Sequence, residues 1–330
     1  MSLHIVIGYG PAGAATARHL AERGCTVRVI TRSGRPAGPG AGSAEPEAAN
    51  AEPEIEHIAL DATARGELTA AVRGATALYA CAGTPYQHWA RDFPPLAAAL
   101  CAAAEESGAL LVLLSNLYGY GPVDGELTEE LPLAATGTKG RVRAEVWQRA
   151  RELHEAGRIR AVEVRASDFF GPGVTDGGHL AARVVPRVLR GKPVTVLGDP
   201  DAPHSWTYLP DLARALAEVA GNEDAWGRAW HAPTAPARSA REMVGGLAEQ
   251  AGVDTVPVRG MSGGTLRLLG LFSPLLRELR EVSYQFDRPF VLDSGAYTDR
   301  FTVRATPAAE QFAQTADWWR ERLAAPRRPT

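Results

Sequence analysis

Lysine is nearly missing from this chain. Lys139 and Lys192 are the only two among 35 basic residues, so the place of each carries information. Cysteine is scarce as well: Cys25, Cys81 and Cys101 are the only three in 330 residues. Their spacing suits neither a disulfide framework nor a zinc site, and all three sit among apolar neighbours. They read as small core residues of a protein in a reducing compartment, which predicts a cytoplasmic location. No apolar run reaches transmembrane length, so no membrane span is expected. The opening MSLHIVIGYG has no basic stretch and no small-residue cleavage site, and does not read as a secretory signal. A net charge of −3 lacks the basic excess that a nucleic-acid partner requires. His88, His154 and His179 form no metal-ligand spacing, and no metal site is expected.

What is present is an ordinary globular composition, 45% hydrophobic and 22% charged, in a length that suits about two domains. Short apolar runs alternate with helical patterns. Strands are expected at 4–7, 26–30, 55–60, 75–82, 110–114 and 160–164, and helices at 11–23, 87–106, 139–156 and 211–220. This alternation predicts an α/β fold with a parallel sheet. The unbroken apolar run Leu110 to Leu114 suits a strand buried on both faces. Residues 33–54, rich in Gly, Pro, Ala and Glu, read as a surface insertion.

The clearest motif is Gly8-Tyr9-Gly10-Pro11-Ala12-Gly13, which follows a strand and opens a helix. Gly8 permits the tight turn, Gly10 lets the backbone approach a pyrophosphate, and Gly13 allows helix and strand to pack closely. The helix N-terminus offers free N–H groups to the phosphates. An NAD site usually places a carboxylate at the end of the second strand. This chain has Thr31-Arg32 there, with Arg35 close behind and no acid. Arginine suits a 2′-phosphate, so NADP(H) is expected over NAD(H). Asp61 and Ala62, after the third strand, are placed for the adenine. Ala82 ends the fourth strand with a small side chain that leaves room for the cofactor.

With Ser115-Asn116-Leu117-Tyr118-Gly119-Tyr120-Gly121, Val164-Arg165, Phe170-Gly171-Pro172-Gly173 and Trp206-Thr207-Tyr208-Leu209-Pro210-Asp211, these residues resemble the extended short-chain dehydrogenase/reductase superfamily, in its NAD-dependent epimerase/dehydratase group. The resemblance implies a Rossmann-type doubly wound sheet with a smaller C-terminal substrate domain. The expected division is 1–170 with 203–235 for the dinucleotide, and 171–202 with 236–330 for the substrate. It also implies a homodimer through the helices near 87–106 and 139–156, where Ala97, Leu100 and Ala104 would allow close approach.

The family's catalytic set is a Ser/Thr after the fifth strand and Tyr-x-x-x-Lys on the next helix. Here the hydroxyl position falls on Asn116, with Ser115 before it. Counting four back from Lys139 gives Ala135, and anchoring on Glu145 puts Gly137 in the tyrosine place. The tyrosine is absent in both registers. Tyr118 is the candidate replacement: in an extended segment it shares a face with Asn116, and a nearby cation would lower its pKa. Lys139 is the candidate cation for that role and for the ribose, and Arg141 is its rival. Asp168 and His204 are candidate substrate contacts, and Tyr120 and Asp211 read as structural. The apolar stretch Leu266 to Leu276 reads as core or as the wall of an apolar pocket. Two functions follow. One is an NADP-dependent oxidoreductase or epimerase-like enzyme acting on a small sugar-nucleotide or natural-product carbonyl or alcohol. The other is an NADP-binding protein without redox turnover.

Overall fold

The computed structural model describes residues 2–34, 54–175 and 178–325. Arg35 and nearly all of the expected insertion lie outside the described residues. Eleven strands occur in these residues: β1 Leu3–Ile7, β2 Thr26–Thr31, β3 Ile55–Ala59, β4 Ala77–Ala80, β5 Leu110–Asn116, β6 Arg160–Ala166, β7 Asp168–Phe170, β8 Val194–Leu197, β9 Trp206–Tyr208, β10 Ala229–His231 and β11 Val258–Met261. Seven of them form one parallel sheet in the order β10-β6-β5-β4-β1-β2-β3. The order reverses between β1 and β4, where the carboxyl ends of the strands open a crevice. The fold is thus the doubly wound Rossmann type that the alternation predicts.

The helices are α1 Pro11–Glu22, α2 Arg65–Ala71, α3 Trp89–Ser107, α4 Thr138–Glu155, α5 Val185–Val188, α6 Leu209–Ala220, α7 Ala240–Ala251, α8 Gly263–Leu269, α9 Pro274–Leu279, α10 Tyr284–Asp287, α11 Gly295–Phe301 and α12 Ala308–Ala324. Alternate strand residues point to opposite faces of a sheet, which is why two cores form. Val6, Val29, Val112 and Val164 meet Ala17 and Leu20 of α1 and Leu212 and Leu216 of α6. Ile5, Ile7, Leu78, Leu111 and Leu113 meet Leu68, Leu96, Leu100, Trp147 and Leu153 on α2, α3 and α4. A third core joins Val188, Val194, Val196, Met243, Leu247, Phe312 and Trp319, between the β8–β11 pair and α5, α7 and α12.

Two expectations need correction. Ala97, Leu100 and Ala104 are 9%, 3% and 1% exposed in the single chain, so that face of α3 already packs internally and is not free for a second copy. In the stretch Leu266 to Leu276, Leu266 is buried but Leu268, Leu271 and Phe272 are exposed, so most of it is neither core nor pocket wall. Among the described residues no helix is long and apolar enough to cross a membrane.

Candidate functional site

A cleft of about 780 Å³ crosses the carboxyl ends of the sheet strands. One end is lined by Thr31, Arg32, Asp61, Ala62 and Thr63, the middle by the glycine turn and Cys81 to Thr84, and the other end by Ser115 to Tyr118, Asp168, Phe169 and Gln285. The strand order explains this length, because β2 and β3 lie on one side of the reversal point and β5 and β6 on the other.

The turn after β1 is shaped by close approach. Gly8 adopts a φ of +93°, and a Cβ there would lie 2.6 Å from the Cα of Ala82. A Cβ on Gly13 would collide with the Gly8 carbonyl. Gly10 differs, since its missing side chain faces open space. It is the N-cap of α1 and makes no side-chain cap, and Pro11 follows it. Gly10, Pro11 and Ala12 line the cleft, and the first-turn N–H groups receive no cap from the N-cap side chain. This cradle fits a pyrophosphate. Thr31 and Arg32 line the cleft at the end of β2, and the carboxylates of Asp61 and Asp92, which line the same cleft, both feel the Arg32 charge. Asp61 accepts hydrogen bonds from the backbone and hydroxyl of Thr63 at 2.9 and 2.8 Å. These bonds, with a smaller effect of Arg32, hold its carboxyl below the usual range.

The opposite end departs from expectation. β5 stops at Asn116, and Tyr118–Tyr120 forms a 3-10 turn. The segment is not extended, and the Asn116 side-chain oxygen accepts from the Tyr118 backbone N–H at 3.1 Å. Ser115, Asn116 and Tyr118 all line the cleft nonetheless. The Tyr118 ring stacks on Trp89, and its hydroxyl pairs with that of Tyr86 at 2.8 Å. Burial first, then Tyr86 and Asp168, push its pKa well above 10, the reverse of the expected lowering.

Lys139 is also a correction, because it does not line the cleft. It is 2% exposed, and its ammonium binds Glu278 at 2.7 Å and Glu281 at 3.0 Å. Its backbone N–H donates to Glu281 as well, at 2.6 Å. The α4 residue that does line the cleft is Arg143, four residues on. Its guanidinium lies 4.7 Å from the Trp89 ring centre and 4.2 Å from that of Phe93. Nη1 donates to the Leu114 carbonyl at 3.3 Å, while Nε is buried without a hydrogen-bond partner among the described residues. Burial lowers its pKa to about 10. Lys139 and Arg143 thus stand in Tyr-x-x-x-Lys spacing with a cation in each place. Testing Lys139 itself in the tyrosine position would have found Arg143 from the sequence. The rival cation Arg141 is exposed and hydrogen-bonds the Thr136 carbonyl.

Asp168 and His204 come together although 36 residues separate them, because β7 pairs in parallel with β9. Their side chains meet at 2.9 Å between Oδ2 and Nε2. Asp168 lines the cleft, and His204 sits behind it, 4% exposed. Burial alone would raise the Asp168 carboxyl. The hydrogen bond and charge of His204 outweigh it and hold the group below its usual range. Tyr120 is buried and bonded to Arg165 and His231. Asp211 lies in the first turn of α6, where it accepts from Thr306 and Arg214.

The profile of the NAD dependent epimerase/dehydratase family matches residues 5–230. No curated protein matches. Several solved structures share the fold over nearly the whole chain. The dTDP-glucose 4,6-dehydratase DesIV of Streptomyces venezuelae, as a double mutant with NAD and DAU bound, is 20% identical with a TM-score of 0.74, covering 97% of both chains. The UDP-glucuronic acid 4-epimerase of Bacillus cereus, in complex with NAD, is 15% identical with a TM-score of 0.74, covering 97% of this chain and 99% of its own. MoeE5, in complex with UDP-glucose and NAD, is 20% identical with a TM-score of 0.74, covering 98% and 100%.

Proposed function

We propose, for a chain that belongs to the NAD dependent epimerase/dehydratase family, that it is an NADP-dependent enzyme acting on a carbonyl or alcohol of a small molecule. The observation that carries the reading is the cleft at the reversal point, with a bare helix N-terminus at its middle and Arg32 at one end. The first turn of α1 would hold the pyrophosphate, Arg32 the 2′-phosphate, and Asp61 and Ala62 the adenine side. Arg143, a fixed cation with a free buried Nε, would hold the ribose nearer α4. A nicotinamide nucleotide supplies hydride chemistry when bound. This chain's own residues supply the rest. Tyr118 keeps its proton, so it serves as a hydrogen-bond donor that orients a substrate oxygen, with Ser115 and Asn116 beside it. Tyr86, Trp89 and Phe169 line that end with aromatic surface. The proton donor is therefore nonstandard.

The structural neighbours carry NAD or nucleotide sugars in their own sites, which supports a dinucleotide and a small polar substrate here. A homodimer, through a surface other than the buried Ala97, Leu100 and Ala104, and the cytoplasmic location belong to the same proposal. Three free cysteines favour the location, and sedimentation velocity tests the dimer. The test of function is a fluorescence titration with NADPH and NADH, followed by a screen of carbonyl compounds for NADPH oxidation. Tight NADPH binding with weaker NADH binding is expected. A protein that binds neither nucleotide is not this enzyme. Lys139 in the tyrosine place favours the second reading, an NADP-binding protein without turnover. Binding followed by a blank screen would support that reading.

A further inference from the structure

We propose that Asp168 and His204 share one ionisable proton at neutral pH and form the proton store of the cleft, with Asp168 facing the bound molecule and His204 as the positioning residue behind it. The proposal rests on the reading of the cleft as an enzyme site.

His204 Nδ1 lies 3.1 Å from the backbone carbonyl of Gln285, which can only accept, so Nδ1 carries a hydrogen. A neutral ring protonated there presents a lone pair at Nε2. An ionised carboxylate presents lone pairs as well. Two lone pairs make no hydrogen bond, yet Nε2 and Oδ2 stand 2.9 Å apart. One further proton must lie between them, as an imidazolium facing a carboxylate or as a carboxylic acid facing a neutral ring.

The surroundings hold that proton in place. Trp206, Phe286 and Phe290 pack around the His204 ring, with centroids at 4.5, 5.3 and 5.5 Å. With the proton the pair has no net charge. Without it, a single negative charge is left at an aromatic wall, which is costly. The other titratable groups facing the pair are His179, Tyr86 and Tyr118. Burial takes His179 down to about 4, and both phenols are shifted up, so all three stay neutral near pH 7.

His231 shows the contrast. Its Nδ1 also meets a carbonyl, that of Asp293 at 2.7 Å. Its Nε2, however, faces the Tyr120 hydroxyl at 2.7 Å, which in turn accepts from Arg165 at 2.6 Å. That phenol donates to the ring, and every bond is made with a neutral imidazole. The extra proton is a property of the Asp168 pair.

In use, the Nε2–H bond breaks as an Oδ2–H bond forms, and Asp168 then gives a proton to an oxygen of the bound molecule. A neutral ring and a carboxylate remain, and water restores the proton. No oxidant or reductant enters this step.

The test is a proton count by NMR on the whole chain, with ¹⁵N-histidine and ¹³C-aspartate labels at about pH 8, above the ordinary range of an imidazole. His204→Gln and Asp168→Asn assign the signals. Two protonated ring nitrogens on His204 beside an ionised Asp168 carboxylate are expected. A singly protonated ring beside an ionised carboxylate overturns the proposal, and it does so without any nucleotide or turnover. With a carbonyl compound turned over in the NADPH screen, Asp168→Asn is expected to lower kcat about hundredfold and to remove the alkaline limb of the pH profile. Unchanged kcat with that limb intact also overturns it. A screen with no turnover counts against the enzyme reading, while the proton count still decides the pair.

Discussion

Lys139 and Arg143 stand one turn apart on α4, and of the two Arg143 alone reaches the cleft. Lys139 is instead a clasp, holding Glu278 and Glu281 from the C-terminal helices against the start of α4. The two residues should therefore fail differently. Lys139→Met leaves two carboxylates about a quarter exposed without their cation, and should cost about 2 kcal/mol, less than a fully buried pair would. It should leave nucleotide affinity unchanged. Arg143→Met should weaken nucleotide binding about tenfold, the value of one charged hydrogen bond. Urea melts and nucleotide titrations on both variants check this. A Lys139 variant that loses binding at full stability would reverse the assignment.

In the proposed reading, Arg32 sets the preference for NADPH. Arg32→Ala should reduce NADPH affinity about tenfold to a hundredfold and barely alter NADH affinity. Parallel titrations decide it. Equal losses for both nucleotides would remove the 2′-phosphate from the account.

Alkaline pH should unfold the protein through its tyrosines. Tyr79, Tyr86, Tyr118, Tyr208 and Tyr297 are raised by burial, and Tyr120 and Tyr284 reach about 12. In the unfolded chain these phenols ionise near 10. Raised groups favour the folded state fully below that value. Above it the unfolded state binds fewer protons than the native state, so stability falls. Absorbance titration at about pH 11 should show far fewer phenolates in native protein than in urea. Equal ionisation would contradict the burial.

Gly13→Val should abolish soluble expression or nucleotide binding, because its side chain would meet the Gly8 carbonyl. Phe272→Ser should shift stability by no more than about 0.5 kcal/mol, since that ring is 84% exposed. Thermal melts of both variants provide the check. A strongly destabilised Phe272 variant would mean that the ring has a partner.

Much of this architecture was legible from residue patterns. The six expected strands and the glycine turn follow from apolar runs and from glycine's freedom at Gly8. Strand β10 escaped, because Ala229-Trp230-His231 is too short to carry a pattern and its pairing is decided by β6. Arg143 escaped because the register was anchored on a missing tyrosine. Asp168 and His204 were each visible as candidates. Their meeting was not, since it depends on how β7 and β9 pair. In the stretch 266–276, hydrophobicity alone could not say which side chains would lack a neighbour.

Strand β10 closes the sheet beside β6, and the chain returns to it only after a long detour. During synthesis, β6 is complete about 65 residues before its last neighbour emerges, which at ribosomal speed is on the order of 3 to 13 seconds. For that interval its backbone is an open template, able to pair with another nascent chain. A shortened chain ending near residue 170 would keep that edge permanently. It would be expected to aggregate, even though it contains the whole nucleotide-cradling turn.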